Sequence, residues 1–503
     1  MTTAARAAPV WREASTDHFI IYADTSEKRL RDFAERLEKF DSGLRYIHGV
    51  EALPEERSNR LLIYVVADGA TVTKLCGASC SNVDGFYVPH IGGSIAFTLR
   101  SVDDLAWHAG FKPEVVLFHE YTHHFLLANS SAAYPRWLNE GFAEFNSTAE
   151  EARDGSMCFG RAAQHRAYGL LRGDKLPLDV VLEPGSRRFS DKEQDIFYGR
   201  SWLLLHYLKF EAARSGQLSN YVKAFNNGKS SLDAALAAFG DLAQVDKDLD
   251  RYLSRGTLSC RKVPAANITA GAIATRTLTA GETATLALRM RSDRGMDQKE
   301  AQSLVPEGRQ AAKAFPDDAG AQTVLTGIEY GAGHLDEAEA AADRALAANP
   351  RAREALLYKG RITVRRLENM ASNDALAWKK ARGWFIKANQ LDPNAAEPLY
   401  LFFMSYVQQH EQPTENAAAA LEQAFKLSPQ DQGLRWMYAQ ALLNSNRTAE
   451  ARVALIPIAY DPHQSGDNRA LAMVRAIDAG ATGPKVFDAA SGSESAVGTQ
   501  PPP

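Results

Sequence analysis

The sequence predicts an α+β domain followed by an all-α array of paired helices, and two observations lead to this fold class. Before residue 100 the chain carries short apolar segments rich in β-branched and aromatic residues, at 18–23 and 60–67, with the length and composition of strands. After residue 300, alanine and proline recur at a fixed spacing along helical segments. Strands in the first part and helices in the rest are typical of two structural parts in one chain.

The length of the chain supports more than one domain, because 503 residues exceed what one hydrophobic core normally holds. We divide the chain into a first domain at 10–258, a β-rich connector at 259–300, a helical repeat domain at 301–478 and a tail at 479–503. The connector is rich in threonine and small apolar residues, and we expect a small hairpin there. The tail is rich in glycine, serine and proline and is expected to be disordered.

One helical segment of the first domain carries the pattern His119-Glu120-x-x-His123. Residues four apart lie on the same face of a helix, so both imidazoles can hold one zinc ion. Glu120 then projects to the side of the metal, where it can reach a zinc-bound water without being a ligand. The competing interpretation is an ordinary buried helix that carries two incidental histidines.

A second helical segment, with the sequence WLNEG at 137–141, weakens that competing interpretation. Glu140 lies 17 positions after His123, and a loop and a turn of helix would let it serve as a third ligand. The fourth zinc position then stays open for water, as in catalytic zinc sites. Glu144 lies one turn further on the same face, where it can accept the free ring N–H of a zinc-bound histidine.

The two segments together resemble the gluzincin metallopeptidases (peptidase MA-like), closely over 110–150 and more loosely over 10–255. The resemblance implies a zincin-like fold, Zn²⁺ held by the two histidines and Glu140, and Glu120 as the general base. The WLNEG wording is closest to the aminopeptidase-like branch. However, the gap between the ligand segments is a little shorter than in that branch, and no Gly-x-Met-Glu-Asn element precedes the helix. The resemblance therefore supports a metallopeptidase, but not an aminopeptidase specifically.

Two further expectations come from the same resemblance. Related metallopeptidases carry a tyrosine downstream of the third ligand whose hydroxyl donates to the oxyanion, and Tyr198 matches it by position. The alternative for Tyr198 is a half-buried core residue. In this class an edge strand lines the cleft and pairs with extended peptide, and the second strand of a hairpin predicted at 85–88 and 94–98 is our candidate. The strand at 60–67 is expected to be central.

The helical half carries the repeated pattern Ala-x6-Ala-x4-Pro, which ends at Pro350, Pro393 and Pro429. The pattern resembles the tetratricopeptide repeat, whose small residues let paired helices pack closely and whose proline ends the second helix. Three to four such repeats stack into a solenoid with a concave groove that takes a peptide or protein partner. The alternative is an irregular, alanine-rich helical bundle.

Charge and apolar runs argue against several function classes. The net charge of −4 gives no reason to expect nucleic acid or an anionic membrane surface as a partner, and no apolar run reaches the roughly 20 residues of a transmembrane helix.

The N-terminus lacks the apolar core of a signal peptide, so the chain as written is expected to be cytoplasmic. The sequence ARA at 5–7 resembles the stretch before a cleavage site, and a start further upstream would make the protein periplasmic or secreted. Cys76 and Cys80 predict either a disulfide or two free thiols.

We therefore expect a zinc-dependent peptidase in which Glu120 takes a proton from the zinc-bound water and Tyr198 stabilises the oxyanion. The repeats at 301–478 are expected to select a protein substrate or partner, unless they pack on the first domain and are needed for its folding. Two other functions stay open. One is a catalytically silent zincin-like scaffold, and the other is an envelope quality-control or assembly factor that acts mainly through its repeats.

Overall fold

The computed structural model describes residues 10–51, 53, 57–77, 85–100, 113–172, 174–185, 187–461 and 468–491. The chain separates into two compact units, each assembled from three stretches of sequence. The first unit comprises Met1–Asp41, Ala52–Arg100 and Ala270–Asp431, and the second comprises Ser42–Glu51, Ser101–Thr269 and Gln432–Pro503. The described residues are largely helical, with an α+β region near the N-terminus, as the sequence predicts.

The strands are β1 (Trp11–Ser15), β2 (Phe19–Asp24), β3 (Leu61–Val66), β4 (Gly85–Val88), β5 (Ile95–Leu99), β6 (Glu150–Glu151), β7 (Met157–Phe159), β8 (Arg261–Val263) and β9 (Ala274–Thr277). The helices of the first half are α1 (Glu27–His48), α2 (Gly69–Cys76), α3 (Pro113–Asn129), α4 (Arg136–Ser147), α5 (Ala167–Leu171), α6 (Leu178–Leu182), α7 (Asp191–Phe210), α8 (Gln217–Asn226), α9 (Ser231–Phe239) and α10 (Leu242–Leu253). The helices of the second half are α11 (Ala280–Asp293), α12 (Gln298–Lys313), α13 (Ala319–Ala332), α14 (Leu335–Ala348), α15 (Arg353–Asn369), α16 (Ala375–Leu391), α17 (Ala396–Gln408), α18 (Glu415–Leu427), α19 (Gln432–Asn444), α20 (Thr448–Ala459), α21 (Arg469–Asp478) and α22 (Lys485–Ser491).

The first unit contains a six-stranded mixed sheet in the order β4-β5-β3-β2-β1-β9. Strand β3 is parallel to both of its neighbours, β2 and β5, and the remaining pairs are antiparallel. Since β3 lies inside the sheet and most of its side chains are buried, the predicted central position is confirmed.

Aromatic rings stack across one face of this sheet. The register places Tyr22 opposite Tyr64 and Tyr64 opposite Phe97, with ring centres 5.4 and 5.3 Å apart. Leu286 and Met290 of α11 belong to the same buried cluster. The sheet face is therefore covered by the first helix that follows β9.

Two expectations about this region were wrong. Strand β5 is hydrogen-bonded to β4 on one side and β3 on the other, so residues 94–98 offer no free edge for a peptide. The connector at 259–300, which was expected to form a small hairpin, instead contains β9, which pairs with β1, and then the helix α11. Thr279 and Glu282 form a capping box, a helix-start signal that the threonine-rich composition obscures.

The tail expected to be disordered from residue 479 is ordered over its first part. Helix α22 spans Lys485–Ser491, and Val486 and Ala490 on it are buried at 0% and 2% exposure. Val486 and Ala490 lie one turn apart on one face of this short helix. The glycine- and serine-rich composition of the surrounding sequence led to the prediction of disorder instead.

Paired helices make up the rest of the first unit. The alanines of the repeated pattern are all fully buried, at Ala338, Ala345, Ala381, Ala388, Ala417 and Ala424. They lie on α14, α16 and α18, which pack against the preceding helices α13, α15 and α17. Small residues thus allow close helix pairing, as the sequence predicts.

The repeats of the first unit are hydrogen-bonded to the segment that leads into β3. Ser58 Oγ donates to Asp392 Oδ1 at 2.7 Å, and Asn59 Nδ2 donates to Leu427 O at 2.9 Å and to Gln430 Oε1 at 3.0 Å. These contacts join the repeats to the N-terminal region, as expected if the repeats pack on it.

The second unit combines α3–α10 with the small antiparallel sheet β6-β7-β8 and with α19–α22. Arg435 of α19 donates from Nη2 to Leu127 O of α3 at 3.1 Å, and the Tyr460 ring lies 4.9 Å from the Phe225 ring. Helix α19 thus contacts α3, and the residue that follows α20 contacts α8. Within the ranges that the structure describes, no helix is both long and apolar enough to cross a membrane.

A disulfide joins Cys158 of β7 to Cys260, just before β8, with Cα atoms 5.6 Å apart and a sequence separation of 102. Cys76 is also disulfide-bonded, and no described cysteine is free. Cys80, the other half of the predicted Cys76 pair, lies outside the described residues. The bond between Cys158 and Cys260 was not predicted, because so long a separation leaves no local pattern.

Candidate metal centre

Helix α3 carries both histidines of the motif and begins at Pro113, a residue type that is favoured at the first position of a helix. His119 and His123 lie one turn apart and are 8% and 6% exposed. Leu117 and Phe125 on the same helix are buried as well. Packing on several sides fixes this helix, so the two imidazoles are held in place by the core rather than by a loop.

Helix α4 brings Glu140 to the same place. Pro135 precedes its first turn, and Trp137 is anchored by a hydrogen bond from its Nε1 to the Tyr221 hydroxyl at 2.7 Å. At Gly141 the helix passes very close to α7, since an added Cβ would lie 2.8 Å from the Ser201 carbonyl oxygen. Glycine therefore allows the approach that sets the position of Glu140.

The three candidate ligands form a compact triangle. His119 Nε2 lies 3.2 Å from His123 Nε2 and 3.3 Å from Glu140 Oε2, and His123 Nε2 lies 3.5 Å from the same Oε2. Tetrahedral zinc with bonds of roughly 2.0–2.2 Å places its ligand atoms about 3.4 Å apart. The observed triangle matches that spacing.

The carboxylate of Glu140 tests this fit independently. It is 0% exposed, and no residue in the described ranges donates a well-directed hydrogen bond to either of its oxygens. A buried carboxylate without such partners is unfavourable unless a cation compensates it. The donor set of two imidazoles and one carboxylate is one of the sets that hold a catalytic zinc ion.

Glu144 orients His119 from behind. Its Oε1 lies 3.2 Å from His119 Nδ1, so the Nε2 atom of that ring is left for the triangle. Its Oε2 lies 2.8 Å from His165 Nε2, and Arg166 Nη2 donates to Oε1 at 2.6 Å. The structure therefore brings the Glu144 carboxylate next to the His119 ring nitrogen that faces away from the triangle.

These contacts shift the pKa values of the buried groups. Burial alone would lower the pKa of His119, but Glu140 and Glu144 outweigh burial and raise it to about 10. Burial alone would raise the pKa of Glu140, but the contacts with His119 and His123 hold it well below its usual range. An imidazole binds a metal ion in its neutral form, so metal binding at this triangle depends on pH.

Tyr198 and Glu120 lie beside the triangle. The Tyr198 ring, on α7, is centred 5.9 Å from the His119 ring. Burial raises the pKa of the Tyr198 hydroxyl, and the negative charges of Glu140 and Glu120 raise it further. Tyr198 therefore keeps its proton and is a hydrogen-bond donor next to the site, while Glu120 is half-buried and adjacent in sequence to His119.

Sequence reasoning missed His165 and Arg166, which both contact Glu144. They lie in the short turn that leads into α5, 21 and 22 residues after Glu144. No period or motif connects this turn to the ligand segments, so the sequence offers no signal for either residue.

Comparison with known proteins identifies two segments of the helical region. Two tetratricopeptide-repeat family profiles match, one at residues 328–370 and one at 410–477. A thermophilic tetratricopeptide-repeat protein from Thermus thermophilus matches with 18% identity and a TM-score of 0.31, over 37% of this chain and 93% of its own. No curated protein matches the chain. The segments 328–370 and 410–477 are tetratricopeptide repeats.

Proposed function

We propose that this protein is a zinc-dependent peptidase of the gluzincin type with a zincin-like domain. One observation supports the proposal above all others. His119, His123 and Glu140 place three ligand atoms within 3.5 Å of one another, and no described residue donates a well-directed hydrogen bond to the buried Glu140 oxygens. The motif that supplies two of these ligands also supplies Glu120, a carboxylate that an inert metal site does not need.

In this proposal Glu120 is the general base and Tyr198 the donor to the oxyanion. When bound, zinc polarises the scissile carbonyl and lowers the pKa of a water molecule towards neutrality. Glu120 accepts the proton of the attacking water and delivers it to the leaving amine. Tyr198 keeps its proton at neutral pH and donates it in a hydrogen bond to the carbonyl oxygen as negative charge develops there.

Metal analysis and cleavage mapping of the purified full chain test the proposal together. We expect about one zinc per chain, lost in the double variant His123→Ala/Glu140→Ala. We expect cleavage products from a peptide library read by mass spectrometry. Glu120→Gln should keep zinc and lose turnover by about 10²–10⁴-fold or more, because shape is retained and proton transfer is not.

Glu114→Gln is the matched control for Glu120→Gln. It makes the same substitution on α3, six residues earlier and therefore on a different face of the helix. It should keep both zinc and turnover. Full turnover in Glu120→Gln would place the chemistry elsewhere, and full zinc occupancy in the double variant would remove this site from consideration.

The second candidate function is a scaffold or assembly factor that acts through its repeats. The tetratricopeptide matches favour it, because such arrays bind other polypeptides. If wild type and Glu120→Gln are equally inactive on every peptide, yet the full chain retains a specific protein partner, this second function replaces the first. In either case the partner or substrate is a peptide or protein.

We further propose that the protein works in an oxidising compartment, periplasmic or extracellular. The support is the cysteine chemistry, since Cys158, Cys260 and Cys76 are all disulfide-bonded. Structural disulfides persist in oxidising environments and are rare in the cytosol. Thiol labelling of protein taken from its native compartment tests this, and quantitative labelling of Cys158 and Cys260 without a reductant would contradict it.

A further inference from the structure

We propose that Arg166 is a positioning residue of the metal centre, which fixes His119 through Glu144 and holds the Tyr198 ring directly. The proposal rests on the proposed zinc peptidase function and adds a residue outside its ligands, base and oxyanion donor. Arg166 lies at the end of the turn before α5, on neither of the two helices that carry the ligands.

The first contact is with Glu144. Arg166 donates to Glu144 Oε1 from Nη2 at 2.6 Å and from Nε at 3.2 Å. The same oxygen lies 3.2 Å from His119 Nδ1. Since Glu144 is 0% exposed, water cannot orient its carboxylate, and the donors around it determine its rotamer. The guanidinium therefore fixes the oxygen that orients the His119 ring.

The second contact is with Tyr198. The Arg166 guanidinium carbon lies 4.9 Å from the centre of the Tyr198 ring. A planar cation at this distance from a ring face is attracted to it and limits its rotation. The Tyr198 ring is also 5.9 Å from the His119 ring. Arg166 therefore acts on both the proposed oxyanion donor, Tyr198, and the candidate ligand, His119.

Arg166 is itself held in place. Its Nη1 donates to Asp195 Oδ1 at 2.9 Å, and its side chain is 15% exposed. Gly199 lets its turn approach α7, because an added Cβ there would lie 3.3 Å from the Arg166 Cβ. A lysine at this position would keep the charge but lose the fork and the plane, so it cannot make the three contacts at once.

The test compares Arg166→Met and Arg166→Lys with Arg172→Met, an exposed arginine six residues further along the chain. Zinc affinity is measured by chelator competition, and kcat and KM are measured at saturating zinc. For both Arg166 variants we expect zinc affinity to fall by roughly 10–100-fold. We also expect kcat to fall by about tenfold or more with KM within about twofold, since the tyrosine contact matters in the transition state. Arg172→Met should behave as wild type.

A double-variant comparison separates the two contacts. In a Tyr198→Phe background, Arg166→Met should still weaken zinc binding but cause little further loss of kcat, because the hydroxyl that it positions is gone. Additive losses of kcat would mean that Arg166 does not act through Tyr198. Restoration of both zinc affinity and kcat by lysine would mean that only a positive charge is required, which overturns the proposal.

Folding and function are controlled separately. Thermal melting shows whether each variant is folded. If Arg166→Met is unfolded, the zinc affinity and kcat of Arg166→Lys alone test the proposal. A wild-type chain that binds zinc but cleaves no peptide would refute the proposed function, while the zinc affinities would still decide on Arg166. Equal zinc affinity in the wild type and both Arg166 variants overturns the positioning role.

Discussion

Removal of the disulfide between Cys158 and Cys260 should destabilise the protein strongly. The two residues are separated by 102 positions, so the bond closes a long loop in the unfolded chain. In the chain-entropy description, a loop of that size restricts the unfolded state by about 4.7 kcal/mol at 25 °C. We expect Cys158→Ser/Cys260→Ser to lose up to that amount, and at least about 2 kcal/mol, in chemical unfolding monitored by circular dichroism.

The single variants provide the control for this prediction. Cys158 and Cys260 are both half-buried, so replacement by serine removes little packing. Each single variant breaks the same bond and should match the double variant to within about 0.5 kcal/mol. A loss below about 1 kcal/mol in the double variant would refute the loop-closure reasoning, and a large difference between single and double variants would point to packing instead.

Three further predictions concern the second unit. Glu144→Ala should weaken zinc affinity by roughly 10–100-fold in chelator competition, because His119 loses its orienting acceptor. Gly141→Ala should destabilise the fold by about 1–3 kcal/mol in chemical unfolding, because the new Cβ would lie 2.8 Å from a backbone oxygen of α7, and a stabilised variant would contradict the packing. Burial lowers the pKa of His48 to about 4, below the roughly 6.5 of an unfolded chain, so stability present above pH 6.5 is lost as pH falls through 4. In His48→Leu, the loss of unfolding free energy between pH 6.5 and pH 4 should therefore be smaller than in the wild type, by up to about 3 kcal/mol. Melting temperatures measured across this pH range should fall less steeply in the variant, and an unchanged slope would argue against a neutral buried His48.

Local patterns predicted the parts of the molecule that depend on helical periodicity. The spacing of His119 and His123 on one helix face required no knowledge of the fold. The same holds for Glu140 and Glu144, one turn apart on a helix that starts directly after Pro135. The structure brings all four together because two helices pack side by side. Their roles as ligands and as an orienting carboxylate remain the proposal that zinc analysis tests.

Features that depend on distant contacts could not be predicted. Arg166 reaches Glu144 from a turn 22 residues away, and Cys158 pairs with a cysteine after a separation of 102. The internal position of β5 depends on which neighbours it finds, and a hairpin pattern alone cannot tell an inner strand from an outer one. The capping box at Thr279 was a local signal for α11, but the threonine-rich composition around it favoured strand.

The assembly of each compact unit from three separated stretches affects how the protein is made. A ribosome releases the helices of the candidate metal centre when only about a third to a half of the chain exists, whereas the last stretch of their unit begins at Gln432. Until that stretch emerges, the Leu127 carbonyl of α3 lacks the hydrogen bond that Arg435 of α19 donates. We expect nascent chains to lack the support of this last stretch, and stable capture of zinc to follow release from the ribosome. Premature termination anywhere before Gln432 should therefore leave a chain that proteases degrade, rather than a smaller folded protein.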